Sequence, residues 1–189
     1  MAAFRYRAKI DHTEKTIQAL FRTEYHVYEQ KKMLLRFLLG LAVVFTGVFA
    51  PLPNWARAIL LLIGAWLIAS LDFPSQIRAD KALEARGGQL PRMTYEFFDD
   101  HIRLSGEGTM DVPYAKLRRL IEDRKHLYLF LSRDSVCMLD PSTLQPNDPV
   151  AFRSFLAEKA GLPWRKDRGL LSLDLADLIL MFRERKNAG

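Results

Sequence analysis

Two apolar stretches decide how this chain is built: residues 33–53 read MLLRFLLGLAVVFTGVFAPLP, and residues 55–73 read WARAILLLIGAWLIASLDF. A helix needs about 20 apolar residues to cross the roughly 30 Å hydrocarbon core of a bilayer. Both stretches approach that length, and each carries one arginine, Arg36 or Arg57, near an end, where a long side chain reaches the interface. The pattern predicts two membrane-spanning helices, joined as a tight hairpin by the turn at residues 51–54.

The basic residues around this hairpin predict its orientation. They flank the outer ends of both spans, whereas the side of the connecting turn offers only Arg57. Loops rich in Lys and Arg stay in the cytoplasm. We therefore expect a multi-pass protein of the bacterial inner membrane with both termini in the cytoplasm. The flanking residues are Arg22, Lys31, Lys32 and Arg36 before the hairpin, and Arg78, Lys81, Arg86 and Arg92 after it.

The remaining chain is long enough for one modest soluble domain, since it has 189 residues in all, with a formal net charge of +6. Anionic lipids attract basic residues beside a membrane span. Most of the positive charge is thereby explained, so membrane lipids are the expected partner and nucleic acid is not. The single cysteine, Cys137, excludes an internal disulfide, and its apolar surroundings predict a buried thiol.

The segments next to the hairpin predict short regular elements. Residues 4–10, FRYRAKI, alternate apolar and basic side chains as a strand does, and a helix follows that we expect to continue through Tyr28 into the first span. After the second span, residues 76–86 predict a short amphipathic helix that Gly87 and Gly88 end. We therefore expect three successive segments in this part of the chain, at residues 1–32, 33–73 and 74–90.

From Pro91 the apolar periodicity changes to that of strands. Short strands separated by turns predict an antiparallel meander, at residues 93–98, 102–105, 109–113, 117–122, 127–132 and 136–139. A closing helix is predicted over residues 149–160, since Asp148 is a good N-cap and Gly161 a good terminator. We expect residues 4–10 to join residues 91–161 in one β-rich unit. Its core is predicted to contain Tyr95, Phe97, Ile102, Leu104, Leu120, Leu127, Leu129, Leu131, Phe152, Phe155 and Leu156.

The last segment, residues 162–189, predicts a polar linker followed by an amphipathic helix over residues 170–186. Leu171, Leu175, Leu178 and Phe182 fall on one helical stripe. The polar face carries acidic as well as basic residues, whereas helices that lie on membranes favour basic ones. Docking on protein and lying on the membrane both remain open for this helix.

Several short motifs accompany this order of parts: YEFFDD at 95–100, VPY at 112–114, LIED at 120–123, LYLF at 127–130, CMLD at 137–140, and Phe152, Phe155 and Leu156. With these residues, the chain resembles the YcxB-like family of bacterial membrane proteins, from Phe4 to about Gly161. The resemblance implies a cytoplasmic domain of pleckstrin-homology-like type, and with it an α+β membrane protein in which a transmembrane hairpin accompanies an antiparallel β domain closed by a C-terminal helix. The resemblance implies no activity.

The spacings that catalysis requires are not found in the sequence. There is no HExxH, no paired CxxC, no phosphate-binding GxxxxGK[ST] loop and no GxSxG elbow. We therefore expect a protein that is not an enzyme, with no cofactor, metal or small-molecule substrate. His101 and His126 stand at turns beside Asp100 and Asp123, and they are interpreted as solvated turn residues rather than as a metal site or pH-sensitive pair with Asp99.

Two groups of residues are candidates for binding or assembly. Gly40 and Gly47 share one face of the first span, which favours close packing of helices. The second group is the densest basic stretch of the soluble domain, where alternation along a strand would place Lys116 and Arg118 on one face for contact with lipid headgroups or a partner. Its members are Lys116, Arg118, Arg119, Arg124 and Lys125.

Two functions are compatible with this sequence. The first is a non-enzymatic, membrane-tethered interaction module that docks a protein partner or anionic lipid headgroups. The second is an accessory subunit that assembles through its spans with a transporter or membrane enzyme. A protein partner or a homo-oligomer is expected, and transport would require oligomers because two helices alone enclose no pore.

Overall fold

A computed structural model describes residues 4–87, 89–106 and 108–167 of the chain. The described residues form two compact units. The β unit combines residues 4–24 with residues 74–167, and the helical unit comprises Tyr25–Phe73. The predicted C-terminal helix at residues 170–186 lies outside the described residues. The architecture is α+β, with two mainly antiparallel sheets and, among the described residues, five α-helices.

The helical unit is built on α2 (Gln30–Phe49) and α3 (Asn54–Ala69), which pack against each other. The preceding helix α1 (Glu14–Tyr28) does not run on into α2, so the predicted continuous helix is wrong. The chain breaks at Glu29, whose φ and ψ of −111° and 20° are not helical. Near the break at Glu29, His26 Nε2 lies 3.0 Å from Asp72 Oδ1. Tyr25, Met33 and Leu71 form a small buried cluster.

Only α2, among the described helices, is by itself long and apolar enough to cross a membrane, with a mean hydropathy of 1.9. The second predicted span, residues 55–73, is not confirmed as one helix. Helix α3 ends at Ala69 and spans about 24 Å at 1.5 Å per residue, and Ser70 turns the backbone away. Helix α4 (Phe73–Ala85) follows through a bend of 52°.

The first sheet of the β unit has the strand order β1-β2-β3-β4. Its strands are antiparallel and cover Tyr6–Asp11, Arg92–Phe97, His101–Ser105 and Thr109–Pro113. Strand β1 pairs along its whole length with β2, with Ala8 opposite Tyr95. The expectation that residues 4–10 join the later strands is therefore confirmed.

The second sheet has the order β7-β6-β5-β8. A 3-10 turn at Tyr114–Lys116 separates it from the first sheet, so the strands form two sheets rather than one continuous meander. Strands β5 (Arg119–Glu122), β6 (Leu127–Phe130) and β7 (Val136–Leu139) are antiparallel. Strand β8 (Trp164–Lys166) lies parallel to β5, although the sequence places these residues in a linker.

The core of the β unit lies under α5 (Pro149–Ala160), which begins and ends as predicted. Asp148 accepts a hydrogen bond from Ala151 N, and Gly161 ends the helix with a φ of 64° that favours glycine. Phe152 stacks edge-on against Tyr6 and Phe97, which joins α5 to the first sheet. Of the predicted core, Leu131 and Phe155 are half-buried and the other nine residues are buried.

Candidate functional site

The β5–β6 turn, residues 123–126, is held in one shape by the carboxylate of Asp123. Its Oδ1 accepts hydrogen bonds from Lys125 N and His126 N, each 2.6 Å long. Its Oδ2 accepts a third, also 2.6 Å long, from the Tyr128 hydroxyl. Asx turns of this kind fix the backbone of a loop, and here the loop presents the side chains of Arg124 and Lys125 to solvent.

These hydrogen bonds favour the charged form of Asp123. Burial alone would raise the pKa of this carboxyl, but the nearby His126 imidazole and the hydrogen bonds from the Tyr128 hydroxyl and the two backbone amides outweigh it and hold the pKa well below its usual range. The same partnership acts oppositely on Tyr128, since burial and the neighbouring carboxylate both raise the pKa of the phenol. Asp123 is therefore an anion at neutral pH, and Tyr128 is a neutral donor.

A buried hydroxyl joins this turn to the last residues of α1 in the β unit. Thr23 is fully buried, and its Oγ1 donates a 2.9 Å hydrogen bond to Asp167 Oδ2, directly after β8. Asp167 N in turn donates a 2.7 Å bond to Glu122 O at the end of β5. The β5–β6 turn and the end of β8 therefore lie beside the point where α1 leaves the β unit.

The five basic residues predicted as one contact surface fall into two groups. Lys116 lies in the 3-10 turn and Arg118 precedes β5, so the prediction that they share a strand face is wrong. Arg119 begins β5, whereas Arg124 and Lys125 follow its end. At about 3.3 Å per residue, β5 extends over roughly 10 Å from Arg119 to Glu122 and so separates the two groups. All five side chains are exposed.

Lys166 is a basic residue that the sequence reasoning missed. Strand β8 runs parallel to β5 and places Lys166 opposite Glu122, at the end of the sheet that carries Arg124 and Lys125. Its side chain is exposed. We call Arg124, Lys125 and Lys166 the basic end of the second sheet. Only the pairing of β8 reveals it, because the spacing in sequence gives no signal.

The acidic residues at this end are already engaged. Glu122 Oε2 lies 2.9 Å from Arg153 Nε on α5, and Asp123 holds the turn. The charge of Glu122 is thereby balanced by Arg153, whereas Asp123 is bonded to neutral donors and keeps its negative charge beside Arg124 and Lys125.

Gly40 and Gly47 are both buried where α2 packs on α3. A Cβ at Gly40 would lie 3.3 Å from Gly64 O, and one at Gly64 would lie 3.0 Å from Gly40 O. A Cβ at Gly47 would lie 3.2 Å from Leu60 Cβ. Gly64 of α3 therefore completes the contact, and the backbones of the two helices approach closely at Gly40 and Gly64.

The histidines and the remaining acidic residues have separate neighbours. His101 Nδ1 lies 2.7 Å from Asp100 Oδ1, whereas Asp99 Oδ1 lies 2.6 Å from Arg5 Nε. Within residues 4–87, 89–106 and 108–167, no three His, Cys, Asp or Glu side chains come together as a metal site. Cys137 is buried, as predicted, and burial raises the pKa of its thiol to about 12.

Comparison with known proteins confirms the resemblance for one segment of the chain. Residues 97–156 match the family described as YcxB-like protein. This segment begins in β2 and ends in α5, so it includes the β5–β6 turn with Arg124 and Lys125 but excludes Lys166 and the helical unit. No curated protein and no solved structure matches the chain.

Proposed function

We propose that this chain, with its YcxB-like segment over residues 97–156, is a non-enzymatic module anchored in the bacterial inner membrane that holds its β unit against anionic lipid headgroups. The observation that carries the anchor is the surface of α2. Leu35 and Phe49 are each 68% exposed and Phe45 is 63% exposed. Apolar surface of this size needs a nonaqueous partner, and a bilayer supplies one along the helix.

The anchor includes both helices of the helical unit, with the two termini of the chain in the cytoplasm. Trp55, Leu62 and Trp66 of α3 are between 65% and 71% exposed, so α3 continues the apolar surface of α2. A span shorter than the hydrocarbon core is tolerated when the bilayer thins locally. Basic residues at the outer ends of both helices favour the cytoplasmic side for these ends.

The headgroup contact belongs to the basic end of the second sheet. Thr23 lies beside this end and stands seven residues before Gln30, where α2 begins. Seven residues extend over at most about 25 Å, so the length of the chain alone limits how far Thr23 lies from the start of the anchor. Basic residues near an anionic surface each contribute about 1 kcal/mol. The pleckstrin-homology-like fold that the resemblance implies suits such a role.

The test compares spin labels on the full chain reconstituted in vesicles. Cys137 is buried with a raised pKa, so a cysteine introduced on the surface is labelled selectively. We expect nickel-chelating lipid headgroups to relax a label on Lys125→Cys strongly and a label on Lys116→Cys weakly. The difference should shrink when anionic lipids are replaced by zwitterionic ones, or when salt is raised.

A matched pair of charge reversals separates contact from simple tethering. Arg124→Glu with Lys166→Glu should weaken relaxation of the label at position 125, whereas Lys116→Glu with Arg118→Glu should not. Equal relaxation at positions 116 and 125 would overturn the assignment. Strong relaxation that ignores both lipid charge and salt would overturn it as well, because the tether and not the charge of these residues would then hold this surface at the membrane.

A further inference from the structure

A cavity of about 720 Å³ lies within the β unit, between α1, α4, the first sheet and the turn that leads into β7. Ligand-binding pockets in proteins range from about 300 to 1,000 Å³, so it is large enough for a small organic molecule. It uses none of the residues of the basic end. The proposed headgroup contact therefore does not involve this cavity.

The floor of the cavity is apolar. It is formed by Ile17, Leu20 and Phe21 of α1, Leu83 of α4 and Met93 of β2. Ile17 is buried, and the other four side chains are half-buried. A folded unit gains free energy when such surface is covered, about 25 cal/mol per Å². The floor therefore suits an aliphatic chain.

The mouth of the cavity carries charge of both signs with a positive excess. Three guanidinium groups, of Arg78, Arg86 and Arg133, line it together with two carboxylates, of Glu24 and Asp134. Arg78 Nη1 lies 3.5 Å from Glu24 Oε1, so these two side chains form an ion pair. Arg86 and Arg133 are exposed at the rim. The mouth therefore favours a ligand with an anionic group.

His12 also lines the cavity, and its surroundings lower the pKa of its imidazole. Burial lowers the pKa of its imidazole, and the charges of Arg86 and His126 lower it further. The ring is therefore neutral at pH 7 and offers a hydrogen bond. Its Nδ1 lies 3.4 Å from Thr16 Oγ1, which orients the ring.

We propose that this cavity binds a single-chain amphiphile, with its acyl chain on the floor of Leu20, Phe21, Leu83 and Met93 and its anionic head group between Arg86 and Arg133. Fatty acids and lysophospholipids share this chemistry. The inference does not rest on the proposed headgroup contact, because it uses other residues and needs no bilayer surface.

The experiment measures one-to-one binding to the full chain in dodecyl maltoside by native mass spectrometry. Four probes distinguish the parts of the ligand: palmitate, lysophosphatidylglycerol, the zwitterionic lysophosphatidylcholine and glycerol 3-phosphate. We expect one or both anionic amphiphiles to bind at least about tenfold more tightly than the zwitterionic probe, which corresponds to about 1.4 kcal/mol. Glycerol 3-phosphate, which has no acyl chain, should not compete. Palmitate alone would indicate a fatty acid site, and lysophosphatidylglycerol alone a lysolipid site.

Two variants test the placement of the ligand. The first, Leu83→Trp, fills the floor of the cavity. The second combines Arg86→Glu with Arg133→Glu and reverses the charge of the rim. Both of its substitutions are at exposed positions, so the core stays intact. Each should weaken binding at least about tenfold. Val150→Trp, at a site 72% exposed on α5, should leave it unchanged. Binding that survives the rim reversal, or that the zwitterionic probe matches, would overturn the proposal.

Discussion

At the scale of single residues, polar side chains that are distant in sequence position the candidate site. Thr23 and Asp167 are 144 residues apart and share a 2.9 Å hydrogen bond, and Tyr128 closes the turn through Asp123. A buried hydroxyl that has lost water needs such a partner, at a cost of about 1–3 kcal/mol if it is left unpaired. Thr23 therefore helps to fix α1 against the second sheet.

The sequence predicted some of these residues and not others, for a physical reason. Arg124 and Lys125 stand out because local charge density is visible in a sequence. Lys166 joins them only through the parallel pairing of β8, and Leu83 and Arg133 meet at one cavity only through tertiary packing. Contacts between residues far apart in the chain leave no periodic signal.

Asp123→Asn is expected to destabilise the β unit at neutral pH. The substitution removes the charged acceptor of the turn, which should cost about 1–3 kcal/mol. Because the folded protein depresses the pKa of Asp123, its contribution is fully present above the unfolded pKa of about 4 and is lost as the pH falls toward the folded value. The difference between variant and wild type should therefore shrink from pH 7 to pH 3.

Thermal unfolding of the full chain in detergent, followed by circular dichroism at both pH values, measures this effect. Asp80→Asn, an exposed position on α4, is the control and should leave stability unchanged. A variant whose loss of stability is the same at pH 3 as at pH 7 would show that the charge of Asp123 does not hold the turn.

At the scale of secondary-structure elements, apolar composition locates the helices more reliably than it locates their ends. The sequence predicted α2, α4, α5 and the strands β1 to β7 near their observed positions. It did not predict the break at Glu29 or the end of α3 at Ala69, because neither place carries a glycine or proline at the break itself. Strand β8 was missed because three residues beside a proline resemble a linker.

Gly64→Leu is expected to separate α2 from α3. Even a Cβ at this position would lie 3.0 Å from both Gly40 O and Val44 N, which are backbone atoms that cannot move aside cheaply. Ala42→Leu adds similar bulk on an exposed face of α2 and is the matched control. Introduced cysteine pairs on α2 and α3 should crosslink readily in the control and poorly in Gly64→Leu. Equal crosslinking would show that the glycine contact does not determine the packing.

At the scale of the whole molecule, the helical unit is an insertion within the β unit. Strand β1 and the first part of α1 precede residues 25–73, and every other element of the β unit follows them. Strand β1 nevertheless pairs with β2 over six residues, and Tyr6 packs on Phe152 and Phe155. The two segments therefore share one core, which neither segment forms alone.

This arrangement predicts that the β unit folds without the helical unit when the two segments are joined. Arg78 Nη1 lies 3.5 Å from Glu24 Oε1, so the two ends are separated by about two side-chain lengths and one helical turn, and a flexible Gly/Ser linker of about ten residues should join Glu24 to Pro74. Residues 4–24 joined to 74–167 should be soluble and unfold cooperatively. Residues 74–167 alone should not, since they expose the edge of β2 and the core face under β1.

Circular dichroism melting curves and protease resistance measure both chains. A chain of residues 74–167 as stable as the joined one would show that β1 is dispensable, and a joined chain that stays unfolded would show that the β unit requires the anchor.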